Sequence, residues 1–179
     1  MRHGENDAVT AVACDPGLTS YGIAQALAAA AACPGRLQHY DFVVSSPMQR
    51  AIQTALNTTA YRPVLLLDEL SSQTVVSAAK TTCYRRNTTD IEYRYGAAVN
   101  TSLLSPTVYP PYPSALESLS AFQARVRTAM QRVLTLIPPD ARRVLIVCHG
   151  HVISTLTNTG LVPTNAVKVS LLSGARVAC

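Results

Sequence analysis

Residues 144–150 read Val-Leu-Ile-Val-Cys-His-Gly, and they give the clearest indication of the fold in the chain. An unbroken apolar run with several β-branched residues is typical of a strand that is buried on both faces of a parallel sheet. Two shorter runs of the same kind lie earlier in the chain, Phe-Val-Val-Ser at 42–45 and Val-Leu-Leu-Leu at 64–67. We therefore predict parallel strands over Phe42–Ser45, Val64–Leu67 and Val144–Cys148.

Helical stretches separate these strands. Ser20–Ala32 is rich in Ala, Leu and Gln, with Thr19 placed to cap its first turn and Pro34-Gly35 placed to end it. In Leu116–Ile137 the apolar side chains recur at helical spacing. Strands that alternate with helices indicate an α/β fold with a mainly parallel sheet and helices on both of its faces. The other predicted elements are a helix over Gln49–Asn57, a helix between Gly150 and Gly160, and a last strand over Asn165–Leu172.

The composition fits one compact domain over residues 1–179. With 48% hydrophobic and 14% charged residues, the chain is too apolar for a disordered tail or a coiled coil. One region differs, residues 71–113, which is rich in Thr, Tyr, Asn and Pro and has no clear period. Long loops are often functional, and we predict that this insertion covers a site.

No segment of the sequence predicts membrane insertion or secretion. The nearly uncharged stretch Gly22–Gly35 is shorter than the roughly 20 residues that cross a bilayer. The start, Met-Arg-His-Gly-Glu, lacks the basic region and apolar run of a secretory signal. The 5 cysteines include no CxxC pair, which favours reduced thiols over a disulfide framework. We therefore expect a cytoplasmic protein without a membrane span.

The charge balance limits the choice of partners. A net charge of +5 attracts phosphate-bearing partners of any kind. Arg85-Arg86 and Arg142-Arg143 are basic doublets without an aromatic stacking motif, so we expect no nucleic-acid partner. His149-Gly150-His151 has no third ligand at a plausible spacing, so we expect no metal site.

Candidate functional residues follow the predicted strands or stand at the start of the chain. They are Arg2-His3-Gly4-Glu5, Arg50, Glu69 and His149. Because the carboxyl ends of neighbouring parallel strands meet at one crevice, we expect these side chains to converge. An imidazole can attack phosphorus, guanidinium groups can hold the charged oxygens, and a carboxyl group can protonate the leaving oxygen. The set therefore predicts a phosphoryl-transfer pocket without a metal.

Four motifs in this order resemble those of the histidine phosphatase superfamily, the phosphoglycerate-mutase-like enzymes. They are Arg2-His3-Gly4-Glu5, an LTxxGxxQA segment at Leu18–Ala26, an SPxxRxxxTA segment at Ser46–Ala55, and a second histidine in Val147–Gly150. The resemblance runs over nearly the full chain and implies a phosphoglycerate-mutase-like fold. Only Met1 precedes Arg2, whereas the family has a full strand there, so we expect a truncated first strand that deprives His3 of its rigid mount.

The resemblance also implies roles for individual residues, without a cofactor. His3 would be the nucleophile that becomes phosphohistidine, while Arg2, Arg50 and His149 would bind the phosphoryl group, with His149 also counted among the catalytic residues. The family's acid often follows a Leu by two positions.

Two registers are open for this acid. With Leu67 as the reference it is Glu69, which we prefer; with Leu70 it falls on Ser72, which is not a carboxylate. Asp68 is a further alternative.

The family resemblance predicts a phosphatase that hydrolyses a phosphomonoester on a phosphorylated small molecule or a phosphoprotein. The alternative is a catalytically inactive or truncated member that binds phosphate or acts as a scaffold. Phosphotransfer of the phosphoglycerate mutase type is a third option, which the short chain disfavours.

Overall fold

A parallel sheet forms the centre of the molecule. The computed structural model describes residues 1–7, 15–32, 40–60, 62–73, 85–106 and 117–157. Within these ranges the sheet has the order β3-β2-β1-β4, and every neighbouring pair is parallel. The strands are β1 (Phe42–Ser45), β2 (Val64–Leu66), β3 (Val99–Asn100) and β4 (Val144–Val147). The predicted α/β fold with a mainly parallel sheet is confirmed.

Helices cover both faces of this sheet, as predicted. Adjacent residues of β1 pack into different hydrophobic clusters. Val43 belongs to a cluster with Ile52 and Leu56, whereas Val44 belongs to one with Phe122 and Val152. Alternate side chains of a strand point to opposite faces, so β1 is buried on both sides. The helices are α1 (Ser20–Ala31), α2 (Gln49–Thr58), α3 (Thr88–Tyr95), α4 (Leu119–Leu136) and α5 (Gly150–Thr157).

Capping side chains set the starts of α1 and α4, as Asn87 does for α3. Thr19 accepts a hydrogen bond from the Gly22 backbone N–H and caps α1, which confirms the predicted start. We predicted that α4 begins at Leu116, but it begins at Leu119, because the Ser118 side chain accepts from the Ala121 N–H.

The first residues of the chain lie beside β4. The Cys148 N–H donates to the Met1 carbonyl at 2.9 Å, and the His3 N–H donates to the Cys148 carbonyl at 3.0 Å. Arg2 therefore forms a parallel bridge with Cys148. The loss of support that we expected for His3 does not occur, because these ladder bonds attach its backbone directly to the end of β4.

Part of region 71–113 forms regular structure that its sequence did not indicate. Residues 85–106 contain α3 and β3, and β3 pairs with β2 at the edge of the sheet. Ile91 is the one buried residue of α3, so this helix has no apolar period that a sequence search could detect. Residues 74–84 and 107–113 lie outside the described residues. The covering role of the insertion and the single domain stay predictions.

Several other predictions fall outside the described residues. They include the last strand at 165–172 and four of the cysteines, whereas Cys148 is a buried free thiol. Among the helices that the structure describes, none is long and apolar enough to cross a membrane.

Candidate active site

Two histidines and an arginine meet at the carboxyl ends of the strands. His3 follows the bridge to Cys148, His149 follows β4, and Arg50 lies in the first turn of α2. The two imidazole rings stand edge to face with their centroids 5.1 Å apart. Arg50 Nε lies 3.3 Å from His3 Nε2, and Arg50 Nη2 lies 3.4 Å from His149 Nδ1. The structure thus brings together three of the predicted site residues.

The hydrogen bonds of His3 assign its tautomer. Its Nδ1 lies 2.6 Å from the Gly4 carbonyl oxygen, which can only accept, so Nδ1 carries the proton. The lone pair is therefore on Nε2, the atom that faces Arg50. Burial, followed by the positive charge of Arg50, lowers the pKa of His3 to about 3. At neutral pH the ring is uncharged and its Nε2 lone pair can act as a nucleophile.

His149 is oriented by two neighbours. Arg50 can only donate, so His149 Nδ1 accepts, and Nε2 donates to the Ser46 hydroxyl at 2.9 Å. Burial is the main cause that lowers the pKa of His149 well below its usual value, and the charges of Arg50 and Arg2 lower it further. The charge of Arg2 also lowers the pKa of His3, after burial and the charge of Arg50.

The LTxxGxxQA segment holds the loop that contains His3. The Thr19 N–H donates to the Glu5 carbonyl at 3.1 Å, and Gln25 Oε1 accepts from the Glu5 N–H at 2.8 Å. Gly22 lies so close that a Cβ on it would be 2.0 Å from the Glu5 oxygen. A residue with a side chain would not fit between α1 and this loop, which explains the glycine.

The SPxxRxxxTA segment connects the two histidines through α2. Thr54 Oγ1 accepts from the Gly4 N–H at 2.9 Å, and Ser46 Oγ binds His149 as described above. Ala51 and Ala55 are fully buried, so their small side chains let α2 pack closely. Apart from Arg50, the residues of this motif therefore hold other parts of the site in place.

The predicted acid forms an ion pair with an arginine of α4. Glu69 is in a 3₁₀ turn after β2, and its Oε1 binds Arg132 of α4 at 2.6 Å. Asp68, the alternative, binds Arg85 through both oxygens and accepts from the Ser105 N–H at 2.7 Å. Within the described residues neither carboxylate has a hydrogen bond to His3 or His149. Glu69 as the acid stays a prediction.

One residue near Arg50 was missed by the sequence analysis. Asp15 is buried, its Oδ1 accepts from the Gln49 N–H at 2.8 Å, and the same oxygen is 3.8 Å from Arg50 Nη1. The signal in the sequence is an acidic residue three positions before Leu18, where the LTxxGxxQA segment begins. Its partners lie in α2, far along the chain, so spacing alone could not reveal the contact.

Comparison with protein families decides the classification. The model of the histidine phosphatase superfamily (branch 1) matches residues 1–170. The chain belongs to the histidine phosphatase superfamily. The resemblance predicted from the four motifs is therefore confirmed.

Solved structures share the fold of this histidine phosphatase superfamily member. The alpha-ribazole phosphatase from Shigella flexneri is 24% identical, with 93% of this chain and 79% of that chain covered and a TM-score of 0.56. A mycobacterial glucosyl-3-phosphoglycerate phosphatase is 25% identical, with 87% and 77% covered and a TM-score of 0.57. The ecdysone phosphate phosphatase from Bombix mori is 15% identical, with 99% and 83% covered and a TM-score of 0.62. The comparison with curated proteins gave no match.

The histidine phosphatase superfamily site contains no group of metal ligands in the part of the chain that the structure describes. Its His, Cys, Asp and Glu residues form no cluster of three or more that could hold an ion. His151, which the sequence places near His149, is exposed on α5.

Proposed function

We propose that this protein is a phosphatase that hydrolyses a phosphomonoester through a phosphohistidine at His3. The observation that supports this most directly is the neutral imidazole of His3, whose Nε2 lone pair lies 3.3 Å from Arg50 Nε. Two structural neighbours with about a quarter of their residues identical are named as phosphatases of small phosphorylated molecules. A phosphorylated small molecule is therefore the substrate class that we propose first, with a phosphoprotein as the alternative.

The reaction has two displacements at phosphorus. His3 Nε2 attacks the phosphorus atom, a P–N bond forms, and the P–O bond to the leaving group breaks as that oxygen takes a proton. A water molecule then attacks the phosphohistidine and gives a proton to the carboxylate that was deprotonated in the first step, the P–N bond breaks, and inorganic phosphate leaves with His3 again neutral. Each step concentrates charge on the phosphoryl oxygens, which donors fixed in advance can stabilise.

Arg2, Arg50 and His149 are the residues that we propose bind the phosphoryl group. The two guanidinium groups donate directly, whereas His149 gives its only proton to Ser46 and would donate from Nδ1 only after taking up a second proton. In the structure Arg50 donates to ring nitrogens of both histidines. Phosphoryl oxygens are stronger acceptors for a guanidinium, and a bound phosphoryl group would take over these N–H groups. We propose no cofactor or metal for this chemistry, because nucleophile and charge stabilisation both come from side chains of the chain.

Glu69 is the proposed acid for the leaving group. Its Oε1 binds Arg132, whereas its buried Oε2 has no hydrogen-bond partner among the described residues, so we propose Oε2 as the oxygen that carries the proton. Acid catalysis matters most when the leaving group is a poor one. Glu69→Gln should therefore slow hydrolysis of an alkyl phosphate such as glycerol phosphate more than that of nitrophenyl phosphate. An equal effect on the two substrates would contradict the role.

The test of the nucleophile uses nitrophenyl phosphate and two matched histidine variants. His3→Ala should abolish turnover, whereas His151→Ala should retain it because His151 is exposed on the outer side of α5. Labelled phosphate from the substrate should remain on the quenched parent as an acid-labile adduct and be absent from His3→Ala. Turnover that survives in His3→Ala would refute the mechanism.

One observation favours a second candidate, a member that binds phosphate without hydrolysing it. Among the described residues, no carboxylate has a hydrogen bond to either histidine of the pair. In that case inorganic phosphate would raise the thermal unfolding midpoint of the parent, and no phosphate ester would be turned over. The same preparations distinguish the two candidates.

A further inference from the structure

We propose that Asp15 is a positioning residue that holds the Arg50 guanidinium in the orientation that phosphate binding needs. This inference rests on the proposed function, because it assumes that Arg50 binds the phosphoryl group. It adds a residue that lies behind Arg50, on the side away from the histidines.

The first contact fixes the start of α2. The Gln49 backbone N–H donates to Asp15 Oδ1 at 2.8 Å, whereas Met48, the residue at the N-cap position, provides no side-chain cap. The first N–H groups of a helix have no partner within the helix, and a carboxylate there is also favoured by the helix dipole. Asp15 thus caps α2 from another part of the chain, directly next to Arg50.

The second contact involves Arg50 itself. Its three nitrogen atoms have different neighbours: Nε faces His3, Nη2 faces His149, and Nη1 lies 3.8 Å from Asp15 Oδ1. The guanidinium is planar and rigid, so a constraint on one nitrogen orients the other two. The side chains of both partners are largely removed from solvent, with exposures of 12% for Arg50 and 1% for Asp15. Screening by water and salt is therefore weak.

The charge of Asp15 depends on pH in the physiological range. Burial raises the pKa of Asp15 to about 6, opposed by the Gln49 N–H, the Arg50 charge, and the backbone N–H and charge of Arg86. Tyr95 at the end of α3 is also affected: burial, followed by the charge of Asp15, raises the pKa of its phenol to about 12. Above about pH 6 the carboxylate is negative and attracts Arg50; below it the attraction is lost.

The raised pKa of Asp15 also makes its contribution to the free energy of unfolding depend on pH. Its pKa in the folded protein lies above the usual value of 3.8, so the folded state binds the proton more tightly than the unfolded state. The stabilisation is present at low pH and is lost as the pH rises through about 6. At neutral pH the ionised carboxylate therefore favours folding less than its protonated form would, and replacing it by a neutral amide should not destabilise the protein.

Asp15→Asn is the appropriate variant. The amide oxygen can still accept from the Gln49 N–H, while the charge next to Arg50 is removed. Asp15 has a positive φ of 63°, a conformation that asparagine tolerates and alanine does not. Asp140→Asn is the matched control, because Asp140 is exposed in the turn before β4, at the opposite end of the sheet.

The experiment is a double-mutant cycle read by binding of inorganic phosphate, measured by calorimetry at about pH 7.5. The proteins are the parent, Asp15→Asn, Arg50→Ala, the double variant and the Asp140→Asn control. Asp15→Asn should weaken phosphate binding by about fivefold to tenfold in the parent and by less than about twofold in Arg50→Ala. The thermal unfolding midpoint of Asp15→Asn should equal or exceed that of the parent, and the control should bind phosphate like the parent.

A second readout uses sulfate, whose charge is constant between about pH 8 and about pH 5. Sulfate affinity of the parent should decrease on the acid side of this range, as Asp15 loses its charge. The sulfate affinity of Asp15→Asn should not show this decrease. A merely structural role for Asp15 would lower the unfolding midpoint without changing this pH profile.

The outcomes separate this inference from the proposed function. An equal loss of phosphate affinity in both backgrounds, or no loss in either, would overturn the role of Asp15. A parent that binds phosphate but shows no turnover would refute the phosphatase proposal, and the binding cycle would still decide the role of Asp15. A parent that neither binds phosphate nor turns over a phosphate ester would overturn both.

Discussion

Gly22→Ala should reverse the usual effect of this substitution in a helix. Alanine in a helix interior is normally more favourable than glycine by about 1 kcal/mol. Gly22 lies in the first turn of α1, and its backbone rests on the loop that contains His3. A Cβ there would be 2.0 Å from the Glu5 carbonyl oxygen and 2.9 Å from the Glu5 carbon and nitrogen. These are backbone atoms, so no side chain can rotate away.

The size of the effect follows from this overlap. Real Cβ contacts almost never fall below 3.0 Å, so α1 and the loop must separate by roughly 1 Å or more. Overpacking of this kind costs about 1–3 kcal/mol of unfolding free energy. The Glu5 loop includes His3, and a displacement of about 1 Å at a reacting group lowers rates by about 100-fold. We expect a decrease of this order in kcat/KM for nitrophenyl phosphate.

The assay pairs chemical denaturation with steady-state kinetics, and Ala28→Gly on the same helix serves as the control. Ala28 is exposed, so its replacement should lower the unfolding free energy by about 1 kcal/mol and leave kcat/KM unchanged. Gly22→Ala should lose far more activity than the control for a comparable loss of stability. A Gly22→Ala protein as stable and as active as the parent would refute the claim that close backbone contact positions His3.

Two further predictions concern hydrogen bonding and pH. Thr54→Val removes the acceptor of the buried Gly4 N–H and should cost about 1–3 kcal/mol by denaturation, whereas Thr54→Ser should retain most of the stability; equal losses would contradict this. His3 and His149 both have a pKa below their usual 6.5, so they contribute stability that is present above that pH and is lost as the pH falls. These two histidines outweigh the opposite contribution of Asp15, whose pKa is raised, so the thermal midpoint should decrease from about pH 7 to about pH 5, and less steeply in His149→Asn. An unchanged slope in that variant would show that His149 titrates normally.

The elements predicted well from the sequence are those whose burial leaves a pattern. β1 and β4 match their predicted ranges to within a residue, because both faces of each strand contact helices and demand apolar side chains. β3 spans Val99–Asn100 and has one buried residue, which is too little for any pattern. Thr19 could be identified as a cap because the capping bond is local.

Apart from His3, which was found by its motif, the candidate residues that come together are those that follow a strand. His149 follows β4, and Arg50 lies just after β1, so the convergence of parallel strands places them together. Glu69 also follows a strand, but its side chain is drawn to Arg132 on α4, a helix that packs against this turn. Which way a side chain turns at a strand end depends on such neighbours, and they are distant in the sequence. The same distance hid the contact between Asp15 and Arg50.

Motif residues outside the histidine pair hold the backbone around His3. The loop after His3 is fixed from three directions: by Cys148 at the end of β4, by Gln25 of α1, and by Thr54 of α2. Each contact is a hydrogen bond to a backbone group, so the loop has little freedom to move in any direction. The backbone around His3 is therefore held by α1 and α2 as well as by β4, and this is why the motifs on the two helices accompany the histidine.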